Sequence, residues 1–281
     1  MSLEIFALVI LASLFQAWWN FHVKKVDADK AVFLLVGWLF FGVVATPLSL
    51  FFLDKPFEWR WLMFLFATGF AQGIYLVILS WAYTIADISV VYPIARGAGV
   101  GYSALILAMI GGTTLSGYGV TGILGVVVGA MCLGSVEFKN KANRTGIGLA
   151  LILALIVSCY SVIDSFGGRE IPVMFYVASM NITAPLFALP FLYANKKKEF
   201  REVWRKYRWQ GFNVALAGSS GYVVIVWAYR STPAPYVIAL REVSIVFAAA
   251  LGIYCLREKI YARKVIGIAL IVLGIFFIKI A

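Results

Sequence analysis

Apolar runs of about twenty residues follow one another along this chain almost without interruption, and no other feature limits its fold so strongly. The stretch from Val32 to Leu53 carries no charged residue. Crossing the hydrocarbon core of a bilayer takes roughly 20 apolar residues, and this chain supplies that length repeatedly. In lipid every backbone N–H and C=O must be bonded internally, which leaves helices or closed barrels. Barrel strands alternate polar and apolar residues over about 10 positions. The runs here are continuous, so they are predicted to be helices. Charged residues make up only 13% of the 281 positions and hydrophobic ones 63%. A soluble domain carries about 25% charged residues, so a water-soluble globule is excluded.

Ten spans are predicted near residues 3–24, 30–53, 59–84, 88–112, 117–136, 145–166, 171–194, 209–230, 235–256 and 263–280. The breaks between them have recognisable chemistry. Asp54-Lys55-Pro56 ends the second span, Gly111-Gly112 the fourth and Gly167-Gly168 the sixth, and Thr232-Pro233-Ala234-Pro235 separates the eighth from the ninth. The first ten residues have no basic region and no small-residue cleavage site, so they are expected to open a permanent span and not a removed signal peptide.

The net charge of +11 is distributed by side. The loops after the odd-numbered spans hold 17 lysines and arginines, and the opposite side holds five. The positive-inside rule then places both termini outside the cytoplasm. The basic run from Lys196 to Arg208 is expected to be a solvated cytoplasmic loop, and no nucleic-acid partner is implied. Cys132, Cys159 and Cys255 show no metal-ligand spacing and are expected to be buried, inert thiols. No metal and no cofactor is implied.

The chain also repeats itself. Ile94-Ala95-Arg96 recurs as Ala239-Leu240-Arg241, Gly122 and Gly129 as Gly267 and Gly274, and Ser13 and Phe21 as Ser158 and Phe166, all at one offset of 145 residues. Trp81-Ala82-Tyr83 recurs as Trp227-Ala228-Tyr229 at an offset one residue longer. The chain therefore reads as two five-helix units, residues 1–140 and 141–281. Five is odd, so the second unit enters the membrane in the opposite sense, an inverted-topology repeat whose substrate site lies near the midplane. Glycines along the fifth and tenth spans suit close helix packing, within the chain or at a dimer seam. Gly97, Gly99 and Gly101 suggest a flexible fourth span.

Ionisable residues inside spans cost at least about 2.5–3.5 kcal/mol each and are functional candidates by default. Four qualify: Arg96, Asp164, Arg241 and Glu242. Arg96 lies roughly 12 Å deep from one membrane face and Arg241 roughly 9 Å deep from the other, at about 1.5 Å per helical residue. Pro93 removes a backbone donor near Arg96. Two readings are open. An arginine meets an anionic group on a substrate, with Glu242 or Asp164 taking up a proton; or the arginines pair permanently with the two carboxylates and set helix register. Asp164 is expected near the outer end of its span, within reach of water. Asn20 and Lys24 form a lesser pair, and His22 is the single histidine. Trp59 and Trp61 read as interfacial belt residues. Trp18, Tyr75, Trp81, Tyr83, Tyr92, Tyr102, Tyr160, Tyr222, Trp227 and Tyr236 are candidate cavity or packing aromatics.

These residues resemble those of the drug/metabolite transporter superfamily, and specifically its ten-helix EamA-type exporters. The resemblance rests on Ala17-Trp18-Trp19-Asn20 followed by Lys24, on Tyr92-Pro93-Ile94-Ala95-Arg96-Gly97, on Tyr160-Ser161-Val162-Ile163-Asp164 followed by Gly167, and on Arg241-Glu242-Val243-Ser244, in that order over nearly the whole chain. It implies an all-α integral membrane fold with a central cavity lined by spans 1, 3, 4, 6, 8 and 9. Spans 5 and 10 would pack outside that cavity. It further implies export or exchange of amino acids, other metabolites or drugs across the plasma (inner) membrane by a monomer or homodimer. Relatives that carry nucleotide sugars, phosphorylated sugars or choline widen the range. One departure is that Arg96 is followed by glycine where Arg241 is followed by glutamate, so a proton role for Glu242 would not be duplicated.

The function class that follows is a secondary transporter of a small metabolite with an anionic group, with protons as a candidate coupling ion. A lipid or glycolipid flippase of the same fold is the alternative. A membrane-embedded enzyme acting on lipid phosphates would be expected to cluster His, Asp or Glu at a membrane surface, and this sequence does not.

Overall fold

Among the described residues, seven segments form helices long and apolar enough to cross a membrane, and two shorter apolar helices, Pro93–Met109 and Gly117–Leu133, lie between them in sequence. The computed structural model describes all residues except 86–87, 111–114, 134–140 and 257–260, with the backbone alone at residues 83–84, 88–90, 92, 141–144, 252–253 and 255–256. Among the described residues there are twelve α-helices: α1 (Leu3–Lys25), α2 (Lys30–Ser49), α3 (Arg60–Ile85), α4 (Ile88–Met109), α5 (Gly117–Leu133), α6 (Lys141–Glu170), α7 (Val173–Asn195), α8 (Lys197–Lys206), α9 (Arg208–Ala228), α10 (Ala234–Leu240), α11 (Val243–Leu256) and α12 (Ala262–Ile280). Ser2 caps α1 by accepting from the Ile5 N–H at 3.3 Å, and Asp29 caps α2 by accepting from the Val32 N–H at 3.0 Å.

The helix count departs from ten for two reasons. The basic run expected to be a solvated loop folds as α8, because Phe200 and Val203 fall on one side of a helix and pack against the bundle. The ninth span is broken at Arg241-Glu242 into α10 and α11. There the Glu242, Ser244 and Ile245 N–H groups bond to carbonyls three residues back, at 3.1, 3.2 and 2.9 Å, a local 3₁₀ tightening. The Ser13 hydroxyl on α1 lies 3.4 Å from the Arg241 carbonyl that this turn leaves accessible. By contrast α4 runs unbroken through Pro93, which sits in its second turn.

Helix packing pairs come in matched sets. α1 packs on α9 as α3 packs on α6; α2 packs on α9 as α3 packs on α7; α4 packs on α6 as α1 packs on α11; and α4 packs on α5 as α11 packs on α12. α2 also packs on α7, and α5 on α12. The α5–α12 contact explains the recurring glycines. A Cβ on Gly122 would lie 2.7 Å from the Gly274 carbonyl oxygen, and one on Gly129 would lie 2.7 Å from that of Gly267. This stripe therefore closes a seam within one chain, and those positions are not free to form a dimer seam.

Both termini lie at one end of the bundle, where Lys279 Nζ donates to the Met1 carbonyl at 2.9 Å. At the same end Arg169 Nε, on the last turn of α6, donates to the Tyr229 carbonyl beyond α9 at 2.8 Å. Arg230 returns the contact with bonds to the Gly168 and Ile171 carbonyls, each 2.9 Å. Each arginine thus caps the other helix's exposed carbonyls. At the opposite, basic end, Lys196 Nζ contacts Asp29 at 2.7 Å and Ser80 at 3.0 Å, tying α7 to the start of α2 and to α3. Two other expectations change. Trp61 is fully buried against Phe57 and Phe175 instead of belting the interface, and Cys159 is exposed on the bundle surface with Cys132 half-buried.

Candidate functional site

A cavity of about 170 Å³ lies at mid-depth in the bundle. Its lining includes Gln16, Trp19, Trp38, Gln72, Tyr75, Tyr160, Asn181, Ser219 and Tyr222, together with Arg96 and Arg241. Residues such as Gln16, Trp38, Gln72 and Gly218 fall near the middles of α1, α2, α3 and α9, which sets the depth. Towards the termini end the bundle is filled by a core that includes Val9, Ala12, Tyr229, Val237 and Ile238. The lining mixes aromatic faces with neutral amides. Asn181 Nδ2 donates to the Ser219 hydroxyl at 3.0 Å and to the Val177 carbonyl at 2.8 Å, bridging α7 and α9.

The two arginines have different surroundings. Arg96 on α4 is engaged by Glu242: its Nε donates to Oε2 at 3.1 Å and its Nη2 lies 2.6 Å from Oε1, with both side chains buried. A fork-to-fork contact of this kind holds two ions that could not be left alone in a low-dielectric interior. Arg241 is just as buried, at 3% exposure, and faces the cavity. Its guanidinium lies over the Tyr222 ring, 5.7 Å from the centroid, and its Nε has no hydrogen-bond partner among the described residues. The 3₁₀ turn produces this difference, because neighbouring residues on that turn point to different partners.

Asp164 on α6 is fully buried, not near water as its sequence position suggested. It accepts from the Thr68 hydroxyl at 2.6 Å and the Tyr176 hydroxyl at 2.7 Å, and the Tyr222 hydroxyl also bonds to it. Gln72 Nε2 in turn donates to Thr68 Oγ1 at 3.2 Å. One carboxylate therefore joins α3, α6, α7 and α9. Tyr222 belongs to both arrangements, since its hydroxyl serves Asp164 while its ring lies beneath Arg241.

A family model for EamA-like transporters matches residues 144–280. Over those residues the chain is similar to the EamA-like transporter family. The EamA-like segment runs from the start of α6 to the end of α12, and so contains Asp164, Tyr222, Arg241 and Glu242. One solved crystal structure of a protein is similar over nearly its whole length, with 19% identity, a TM-score of 0.72, and coverage of 98% of this chain and 94% of the other. At that identity the likeness is one of fold. No curated protein matches the chain by sequence.

Of the residues singled out in the sequence, Arg96 and Arg241 line the cavity, Glu242 pairs with Arg96, and Asp164 is reached through Tyr222. Tyr75, Tyr160 and Tyr222 line the cavity. Trp18 is 42% exposed on the outside of α1, its ring 3.9 Å from that of His22, and its neighbour Trp19 takes the cavity side. Asn20 donates to the Gln16 carbonyl at 2.7 Å and does not line the cavity. Trp81 and Trp227 are exposed. Tyr236 is buried against Gly119, and its hydroxyl accepts from the Ser116 N–H at 3.1 Å. The side chains of Tyr83 and Tyr92 lie outside the described residues. Sequence reasoning did not pick out Thr68, Gln72, Tyr176, Gln16 or Asn181. Each is a polar side chain in the middle of an apolar run, and that is the signal that could have found them. The cavity also draws on α2 through Trp38 and on α7 through Val177, Met180 and Asn181, beyond the six spans expected, while α5 and α12 contribute nothing to it.

Proposed function

We propose that this chain is a secondary active transporter of the drug/metabolite type, an exporter or exchanger that carries a small metabolite with an anionic group by alternating access, and that Arg241 receives that group. The observation that carries the reading is the buried guanidinium of Arg241 at the cavity wall, whose Nε has no hydrogen-bond partner among the described residues, when Arg96 is already engaged by Glu242. A buried donor without a partner is costly. A carboxylate or phosphate oxygen would satisfy it in the geometry that guanidinium prefers. A volume near 170 Å³ suits a solute on the scale of an amino acid better than a lipid chain.

The matched packing pairs support two inverted five-span units, residues 1–140 and 141–281, exchanging roles about a mid-depth site. In this reading the end that carries Lys24, Lys30 and α8 is cytoplasmic. Both termini then face away from the cytoplasm, with the protein in the plasma (inner) membrane. Protons are the coupling ion, with Asp164 as their acceptor. Its carboxylate is the buried acid not committed to an arginine, and Tyr222 links it to Arg241.

The test is transport into liposomes. A purified protein screened by thermal shift against amino acids, phosphorylated metabolites, nucleotide sugars and quaternary amines identifies a ligand by mass action, and that ligand is then followed across the membrane with and without a pH gradient. Arg241→Gln is expected to abolish both the shift and the uptake, and Asp164→Asn to keep binding while removing the response to the gradient. Unchanged uptake by Arg241→Gln would take this residue out of the site.

A further inference from the structure

Helix α8 has two faces, and the fold uses only one of them. Val203 is buried, the Phe200 ring meets Tyr193 edge-on at 5.2 Å, and the Trp204 ring lies 5.6 Å from Phe40. The other face carries Lys197, Arg201 and Arg205 at intervals of four, which places them on one stripe. Lys198 stands beside this stripe, and all four cations are exposed. Glu202 is taken up by Lys206 at 2.8 Å. Among the described residues no carboxylate lies within 4.0 Å of the four cations.

The position of α8 adds a second constraint. One residue separates it from α7 and one from α9, so both of its ends are held at the level where spans leave the membrane. Trp204 and Trp209 are exposed on either side of Phe40, with Trp209 5.2 Å from it, and form an aromatic patch at that level beside the basic stripe. A basic stripe flanked by tryptophan is the arrangement of a helix lying in the membrane interface.

We propose that α8 is a headgroup-binding site: Lys197, Lys198, Arg201 and Arg205 bind the phosphates of anionic phospholipids in the leaflet around the basic end, while Trp204 and Trp209 rest on the acyl boundary. The stripe runs about 12 Å along the helix at about 1.5 Å per residue. That length matches a row of headgroups. The exposed tryptophans have no use for a soluble anion. This inference is independent of what the cavity carries.

The experiment uses the purified full-length chain in neutral detergent. Phosphatidylglycerol or phosphatidylcholine is titrated in, and both bound lipid (by native mass spectrometry) and Tm are read. Phosphatidylglycerol is expected to bind and raise Tm well beyond phosphatidylcholine. In K197Q/K198Q/R201Q/R205Q its affinity should fall on the order of 1,000-fold, with Tm in the absence of lipid unchanged. The charge-conserving K197R/K198R/R201K/R205K should retain binding. Salt at about 1 M, where the Debye length is about 3 Å, should erase the preference in the wild-type chain, which tests the idea without any variant. Equal responses to the two lipids, undiminished binding by the glutamine variant, a preference that survives high salt, or an equal Tm rise with inorganic phosphate would each overturn the proposal.

Discussion

Replacing Glu242 with glutamine keeps the shape of the side chain and removes one charge from a pair that has almost no contact with solvent. Arg96 is 6% exposed and the Glu242 side chain 2%, and two contacts of 3.1 and 2.6 Å join them. A lone guanidinium would then remain at that depth with a neutral amide as its neighbour. Removing one partner of a buried ion pair costs about 3–5 kcal/mol, whereas replacing both by apolar residues of similar volume is often neutral or stabilising. Three variants therefore suffice: Glu242→Gln, Arg96→Met, and Arg96→Met with Glu242→Leu. Each single change is expected to lower stability by about 3–5 kcal/mol, and the double variant to lie within about 1.5 kcal/mol of wild type. Denaturant or thermal unfolding in micelles, followed by tryptophan fluorescence and helix content, reads all three. The reasoning is refuted if the singles are mild, or if the double variant loses as much as the two singles together. Either result would mean that Arg96 and Glu242 do not depend on one another.

Other consequences are sharper in contrast than alone. Gly274→Ala places a Cβ 2.6 Å from the Gly122 carbonyl oxygen, where backbone must move. It should destabilise by about 1–3 kcal/mol, while Gly148→Ala, with nothing within 4 Å, should be neutral or stabilise by about 0.5–1 kcal/mol; thermal unfolding compares them. Tyr222→Phe removes one of three hydroxyls from Asp164 and leaves the ring beneath Arg241. A loss of about 1.5–3 kcal/mol in stability is expected, with ligand affinity within a few-fold of wild type in the same thermal-shift assay. Tyr222→Leu, which also removes the ring, should lower that affinity further, and equal affinities in the two variants would separate Tyr222 from the arginine.

Much of the helical order was legible in the residues because the bilayer is an unforgiving solvent. The breaks at Asp54-Lys55-Pro56 and Thr232-Pro233-Ala234-Pro235 are local chemistry, and they lie where they were expected. Missed features share a different cause. Helix α8 was hidden by its charge, since two apolar residues on one face outweigh a basic run only when a bundle is present to receive them. The break at Arg241-Glu242 has no proline to announce it, and depends instead on partners contributed by α1 and α4.

The sequence alone determined that the chain must be helical and lie in a membrane. It also located the breaks at Asp54-Lys55-Pro56 and Thr232-Pro233-Ala234-Pro235, though not the end of α6, which runs through Gly167-Gly168 to Glu170, and it picked out the four charges that needed explaining. Length, hydropathy and charge bias act residue by residue, and no distant contact is needed to read them. Only the tertiary structure decided how those charges are shared: Arg96 with Glu242, Asp164 with three hydroxyls from α3, α7 and α9, and Arg241 with an aromatic ring and an open cavity. The physical reason is that the partners lie up to 146 positions apart in the chain. In lipid a buried charge is stable only beside whichever side chains the packing brings to it.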